Sequence, residues 1–290
     1  MTEAAADAIR HTLPPYTTHT VLFAEQLDSV LPWHITDPFI DKYVWPKDDG
    51  SVKVGVVDTG ASLGHPELDG KILAAEDFTG NQRGPSDGNG HGSHVAGIIS
   101  AKSFGVHKNG KLVIAKGLSD NGTGSDQTLS RAIKYCGDQG CKVINISAGS
   151  SVRSSAISGI LKELAQQGIL VCVAAGNDGG TVSWPAQEDY VFAVTALTRQ
   201  KTLASFSNRG AAADVAGYGV EIRSLGRGGA YAVLSGTSMS SPYIAGYIAA
   251  WTSFRLSTGK SFPTFNETME WLGKTSIDLG APGRDWEFGL

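Results

Sequence analysis

The sequence predicts an α/β fold of three layers, a mostly parallel sheet with helices on both faces. Three observations predict it: short β-branched runs recur from about residue 52, helical stripes lie between them, and turn glycines separate the two. The runs VKVGVV (52–57), LVIA (112–115), KVINIS (142–147) and ILVCVA (169–174) are apolar almost throughout, as strands covered on both faces are. Leu129, Ala132, Ile133 and Cys136 are spaced i, i+3, i+4, i+7, and so are Ile157, Ile160, Leu161 and Leu164. Each set gives a helix one apolar stripe, with Gly137 and Gly168 as the expected stops. YVFAVTA (190–196) and VEIRSL (220–225) read as further strands. Near the C-terminus Thr264-x-x-Glu267 reads as a capping box that opens a last helix. There is no internal repeat and no domain-splitting linker, so the chain reads as one domain.

Composition narrows the function classes. With 41% hydrophobic and 18% charged residues, the 290-residue chain has the means to bury a large core. The net charge of −4 carries no basic cluster, which removes the usual reason for a nucleic acid or an anionic membrane as partner. No apolar run approaches the roughly 18 residues of a membrane span. MTEAAADAIRHTLPPY, the first 16 residues, has early acidic residues and no apolar signal core. Three cysteines cannot all pair within one chain. Cys172, inside ILVCVA, reads as a reduced buried thiol, while Cys136 and Cys141 are open to staying reduced, bridging or sharing a metal. This usage favours a reducing compartment.

In a parallel sheet, functional residues gather beyond the carboxyl ends of the strands. Asp58 follows the first run, Ser147-Ala148-Gly149 ends the third and Asn177 follows the fourth, so these positions should converge. Three segments carry chemistry: Val-Val-Asp58-Thr-Gly60, Gly90-His91-Gly92-Ser93-His94, and Ser235-Gly236-Thr237-Ser238-Met239-Ser240-Ser241-Pro242. Singly, each has a plainer explanation, since Asp after a strand serves turns and Ser before an apolar helix serves as its N-cap. Together they form an Asp, His and Ser set whose flanking glycines make sense. Gly90 and Gly92 would let backbone and substrate approach the imidazole, and Gly236 would permit a sharp entry to Ser238.

These segments resemble the subtilisin-like serine peptidases. DTG around Asp58, HGSHVAG around His91 and GTSMSSP around Ser238 match that family's three signatures in its chain order, within a likeness running from about Leu31 to near the C-terminus. Ser93 and Ser240 stand where Thr and Ala are more usual. The resemblance implies the subtilisin-like fold over one domain, 31–290, behind an N-terminal extension, 1–30, and a serine endopeptidase acting on protein or peptide substrates. A serine hydroxyl needs a base as it attacks a carbonyl, and imidazole is the side chain whose ordinary pKa lies near neutrality. Ser238 is then the nucleophile, His91 the base and Asp58 the group that holds the imidazole's tautomer.

The same resemblance makes Asn177, in Ala174-Ala175-Gly176-Asn177, the side-chain donor to the developing oxyanion, with the Ser238 backbone N–H as the second donor. It makes Leu118, Gly122, Thr123, Gly124, Ser147, Ala148 and Gly149 the two edges between which a substrate strand adds. Ala174, Ala175 and Gly176 would line the pocket before the cleaved bond; none is acidic, so an uncharged side chain is expected there. His65 is expected to order the loop after Asp58, and His94 to pack beside the active-site helix. The chemistry needs no cofactor. The family often holds structural calcium, yet AGIISAKSFGVHKNGKLVI (96–114) lacks the Asn-rich insertion that resembles its tightest calcium loop and no EF-hand pattern is present, which leaves a weaker calcium site without assigned ligands.

Three other readings are weaker. Val-Val-Asp58-Thr-Gly60-Ala-Ser also resembles an aspartic peptidase signature, but that chemistry needs a second carboxylate and no second Asp-Thr-Gly or Asp-Ser-Gly occurs. An inactive subtilisin fold kept as a binding module would ordinarily lack a triad member or the asparagine, and all four are present. Gly60-x-x-x-Gly64 lacks the dinucleotide fingerprint and the P-loop lysine of a phosphate site. Within the extension, Ile9-Arg-His-Thr-Leu13-Pro14-Pro15-Tyr16 resembles the short Leu-Ile-Pro-Tyr element of intracellular subtilisins, with Pro14 where that element has Ile. The resemblance implies an inhibitor in cis and a zymogen, the segment adding as a strand to the cleft while proline fixes φ. It also favours a cytoplasmic protein, in line with the missing signal core and the unpaired cysteine, an expectation that a removed leader would reverse.

Overall fold

The computed structural model describes residues 10–15, 17–22 and 48–289. The expected boundary at 30/31, the start of the family likeness at Leu31, and the ends of the N-terminal motif, Ile9 and Tyr16, lie outside the described residues. In chain order the strands are β1 (Arg10–Thr12), β2 (Thr17–Leu22), β3 (Lys53–Asp58), β4 (Ile72–Asp77), β5 (Lys111–Lys116), β6 (Thr123–Ser125), β7 (Val143–Ile146), β8 (Leu170–Ala174), β9 (Phe192–Leu197), β10 (Val215–Tyr218), β11 (Ile222–Leu225) and β12 (Tyr231–Ser235). The helices are α1 (His91–Ser100), α2 (Asp126–Asp138), α3 (Ser155–Gln166), α4 (Thr237–Ser257) and α5 (Phe265–Thr275).

Seven strands make one parallel sheet in the order β10-β9-β8-β7-β3-β5-β4. The period-2 alternation of its buried strands divides the core into two layers. Val54 and Val56, Val143, and Leu170 and Cys172 join α1 and α4 on one face. Val57, Ile144 and Ile146, and Val171 and Val173 join α2 and α3 on the other. This is the expected three-layer arrangement. The stripe of α2 is buried as its spacing requires, with Leu129, Ala132, Ile133 and Cys136 at most 1% exposed.

Several elements depart from expectation. Gly137 does not stop α2 but lies inside it; a Cβ there would come within 2.6 Å of Leu164 Cδ2, so the glycine lets α2 approach α3. The chain turns at Gly140 instead, with φ of 74°, while Gly168 (φ 71°) follows α3 as expected. VEIRSL contributes β11, which leaves the main sheet for an antiparallel one of order β11-β12-β2. The strands β4 and β10, at the two edges of the parallel sheet, and β12 have no counterpart in the sequence reading. The capping box of α5 is present: Thr264 Oγ1 accepts from Glu267 N at 3.2 Å and Glu267 Oε2 from Thr264 N at 2.8 Å. Among the described residues no helix is long and apolar enough to cross a membrane.

A candidate active site at the carboxyl edge of the sheet

Asp58 ends β3 and His91 begins α1; His91 Nδ1 lies 2.8 Å from Asp58 Oδ1, which also accepts from Thr59 N at 2.7 Å. Both side chains are fully buried. Gly90 has a φ of 108°, which favours glycine. A Cβ on Gly92 would collide with the Gly60 carbonyl oxygen and sit 3.1 Å from Asp58 Oδ1, so this glycine serves the close approach of α1 to the loop after β3.

A second carboxylate, which the sequence did not single out, fixes that approach. Asp87 Oδ1 accepts from Thr59 Oγ1 (2.9 Å), Asn89 N (2.9 Å) and Gly90 N (2.8 Å), and its Oδ2 from Ser93 N (2.8 Å) and Ser93 Oγ (2.6 Å). An anion bonded to the first amides of a helix is stabilised by its dipole, so Asp87 ties the start of α1 to the residue after Asp58. From the other side, the buried Lys116 ammonium donates to Thr59 O (2.5 Å) and Asp120 Oδ1 (2.7 Å). Burial pushes the Asp120 carboxyl up, but hydrogen bonds from Lys116 and Asn81 outweigh it and hold it below the usual carboxylate range.

Ser238 is the second residue of α4 and fully buried, and its Oγ has no hydrogen-bond partner among the described residues. Gly236 before it is extended (φ 163°), a conformation any residue adopts, so the expected need for glycine at the helix entry does not hold. Four residues on, Pro242 has no N–H to give the Ser238 carbonyl, and Ser147 Oγ donates to that oxygen at 3.3 Å. Asn177 follows β8. Its Oδ1 accepts from Thr237 N and Thr237 Oγ1, both at 2.8 Å, which settles which end of the amide is which. The Asn177 NH₂ therefore points outward and donates to the Pro15 carbonyl oxygen at 2.5 Å.

That carbonyl belongs to the chain's own N-terminal segment. β1 pairs antiparallel with β6, placing Arg10, His11 and Thr12 opposite Ser125, Gly124 and Thr123. On its other side Thr12 exchanges both backbone bonds with Gly149 at 3.1 Å, and Leu13 N donates to Gly122 O at 3.0 Å. Gly122, Thr123, Gly124 and Gly149 thus flank one extended strand. Leu118 and Ala148 are buried, and Leu118 N donates to Asp58 O. Ala174 and Ala175 are buried at the end of the sheet, and Gly176 N donates to Thr237 Oγ1. One further contact was not foreseen: His11 Nε2 lies 2.5 Å from Asp126 Oδ1, with both residues buried.

His94 Nε2 faces the carbonyls of Ile222 and Ala232, and His65 Nδ1 accepts from Glu67 N at the turn after β3. Ser240 Oγ donates to Thr237 O, so neither it nor Ser93 bonds to the Asp58–His91 pair. All three cysteines are buried free thiols; a bond to Cys141 and burial push the Cys136 thiol up, and burial does the same to Cys172. Among the described residues no group of three or more His, Cys, Asp or Glu side chains is placed to hold a metal.

The family model for the subtilase family matches residues 49–289. A thermophilic serine proteinase from Bacillus sp. (strain AK1) is 38% identical over 71% of the chain, and thermitase from Thermoactinomyces vulgaris is 33% identical over 84%. The chain spans about half the length of the first (54%) and 88% of the second. A crystal structure of a cold adapted subtilisin-like serine proteinase superposes with a TM-score of 0.71 at 31% identity, covering 78% of this chain and 82% of that one. With three signature segments converging on one sheet edge and a family match over residues 49–289, the chain belongs to the subtilase family.

Proposed function

We propose that the protein is a serine endopeptidase whose triad is Asp58, His91 and Ser238, held latent by its own N-terminal segment. One observation carries the reading: an extended strand lies between the glycine edges with a backbone carbonyl on the Asn177 amide, at the N-terminus of the helix that bears Ser238. Ser238 Oγ attacks a substrate carbonyl while His91 takes its proton and later delivers it to the leaving amine. Asp58, through its 2.8 Å bond to Nδ1, keeps the imidazole in the tautomer that accepts at Nε2 and stabilises the imidazolium. Negative charge develops on the carbonyl oxygen, where the Asn177 NH₂ and the Ser238 backbone N–H meet it. Thr237 holds the amide in place beforehand, so the donor needs no reorganisation at the moment of reaction. No cofactor enters these steps. A serine-directed phosphonate should label the chain once, on Ser238; failure to label the segment-free enzyme would refute the assignment.

Latency follows from proline chemistry. Pro14 and Pro15 have no N–H, so the bonding of the segment to the cleft edge stops at Leu13 N, just before the carbonyl on Asn177. A substrate strand without prolines has those donors and seats its carbonyl more firmly. Removing residues 1–16, which leaves β2 whole, should raise turnover of a small peptide, and added N-terminal peptide should then inhibit competitively. Equal activity with and without the segment, measured before self-cleavage, would exclude latency. The three free thiols suit a reducing compartment, and we assign the protein to the cytoplasm; recovery from the extracellular fraction of its host would overturn that assignment.

A further inference from the structure

We propose that Asp126 builds a specificity subsite for a basic or imidazole side chain, four residues before the residue whose carbonyl Asn177 holds. It rests on the reading of β6 and Gly149 as substrate edges. His11 fills the subsite in this structure: it stands opposite Gly124 in the β1–β6 ladder, and its Nε2 donates to Asp126 Oδ1 at 2.5 Å. The pair is 1% and 3% exposed.

An Asp in the first turn of a helix normally serves that helix, and two facts argue for another role here. The N-terminal amide of α2 is already capped, because Ser125 Oγ accepts from Thr128 N at 3.2 Å in a complete capping box. A carboxylate that serves only the helix dipole needs no partner from a distant segment. With the segment in place Asp126 is enclosed, and among the described residues His11 supplies its side-chain partner. Any strand that replaces the segment in the same register lays its own side chain on this carboxylate. A His, Lys or Arg brings an N–H donor. A Leu buries the carboxylate with nothing to bond, and a site built around a hydrogen bond rejects the analogue that lacks it. An acidic side chain adds like-charge repulsion.

The test is a competition in one tube between two peptides that differ only at this position, His or Arg against Leu, with the change also scanned one residue to either side. The ratio of kcat/KM values for competing substrates does not depend on how much enzyme is active, so neither latency nor partial unfolding of a variant enters it. The intact chain should consume the basic peptide about tenfold faster or more. Asp126→Asn should narrow that ratio to about threefold or less, and Asp126→Leu should reverse it. A ratio near one in the intact chain, or the same preference in Asp126→Asn, would overturn the subsite. A second readout needs no turnover: in the Ser238→Ala chain, amide exchange at Thr12 and Leu13 should quicken about tenfold with His11→Leu and stay slow with His11→Lys. Unchanged exchange in His11→Leu would equally overturn the proposal. Slow exchange that depends on Asp126, with a parent chain (Ser238 intact, segment removed) that cleaves neither peptide, would sink the peptidase assignment and leave the subsite standing.

Discussion

The two edges of the parallel sheet carry the same pair of side chains and do different things with it. At the carboxyl edge Asp58 meets His91 at 2.8 Å; at the amino edge, ahead of the same strand, Asp48 meets His107 at 2.8 Å. All four side chains are at most 1% exposed. At the amino edge every bond turns inward. Asp48 also accepts from Gly50 N, and His107 Nε2 is spent on the Val52 carbonyl. That pair closes a loop. At the same carboxyl edge Thr237, which opens α4 just ahead of Ser238, bonds to Asn177, whose NH₂ donates to the Pro15 carbonyl of an extended strand. A buried His–Asp contact is therefore no sign of catalysis by itself; what lies beyond the imidazole decides.

Four experiments test that contrast. The largest effect belongs to Ser238→Ala, which should lower kcat by about 10⁶-fold, the loss a subtilisin shows, with the fold intact by circular dichroism. Near-normal turnover would dissolve the distinction between the edges. His107→Ala comes next and should act on stability alone. It strands the buried Asp48 carboxylate at a cost of about 3–5 kcal/mol in denaturant unfolding, while kcat/KM of the folded enzyme stays within about twofold. Asn177→Ala should lower kcat by about 10²–10³ with little change in KM, a magnitude known from a subtilisin, because its bond matters most in the transition state.

The smallest effect is a pH dependence at the amino edge. Asp214, just ahead of β10, has its carboxyl pushed up to about 6 by burial, against the pull of the Ala193 amide and Arg284. A raised carboxyl favours the protonated folded state, so its stabilising contribution is complete below about pH 4 and is lost as pH rises through 6. Asp214→Asn should gain on the parent by about 3 kcal/mol between those limits. Unfolding curves at pH 4 and 7, taken in the Ser238→Ala background, read it directly. A gap that does not change with pH would mean Arg284 keeps Asp214 ionised throughout.

The parts of the molecule legible in sequence were those that announce themselves locally. Buried strands such as β3 and β8 are unbroken apolar runs, and the Asp58, His91 and Ser238 segments each carry their own glycines or helix start. β4 was hidden because an edge strand is half-exposed, with Leu73 and Glu76 out and no apolar run to mark it. β10 was hidden by brevity, four residues including Gly217, whose missing Cβ makes room for Ile244 and the Ser240 carbonyl of α4. VEIRSL was read as another strand, but nothing in a six-residue run says which sheet it will join. Asp87, Thr237 and the His11–Asp126 contact are relations between distant positions, the last across 115 residues, and such pairings have no local signature.

The N-terminal segment is fastened twice: β1 lies in the cleft, and five residues later β2 pairs with β12, the strand that runs into Thr237 and Ser238. With so short a link, the segment meets the cleft at an effective concentration on the order of millimolar. In the latent enzyme proposed above, such a lock needs no more than a dissociation constant below that concentration. A free peptide would displace it only where the ratio of its concentration to its own dissociation constant exceeds the same ratio for the tethered segment, which would shield ordinary proteins without any tight inhibitor being built. One cut between Thr12 and Thr17 would end the tethering and dilute the released piece to whatever the surroundings hold. Continuity of a single peptide bond, more than strength of contact, would then separate the proposed silent state from the active one.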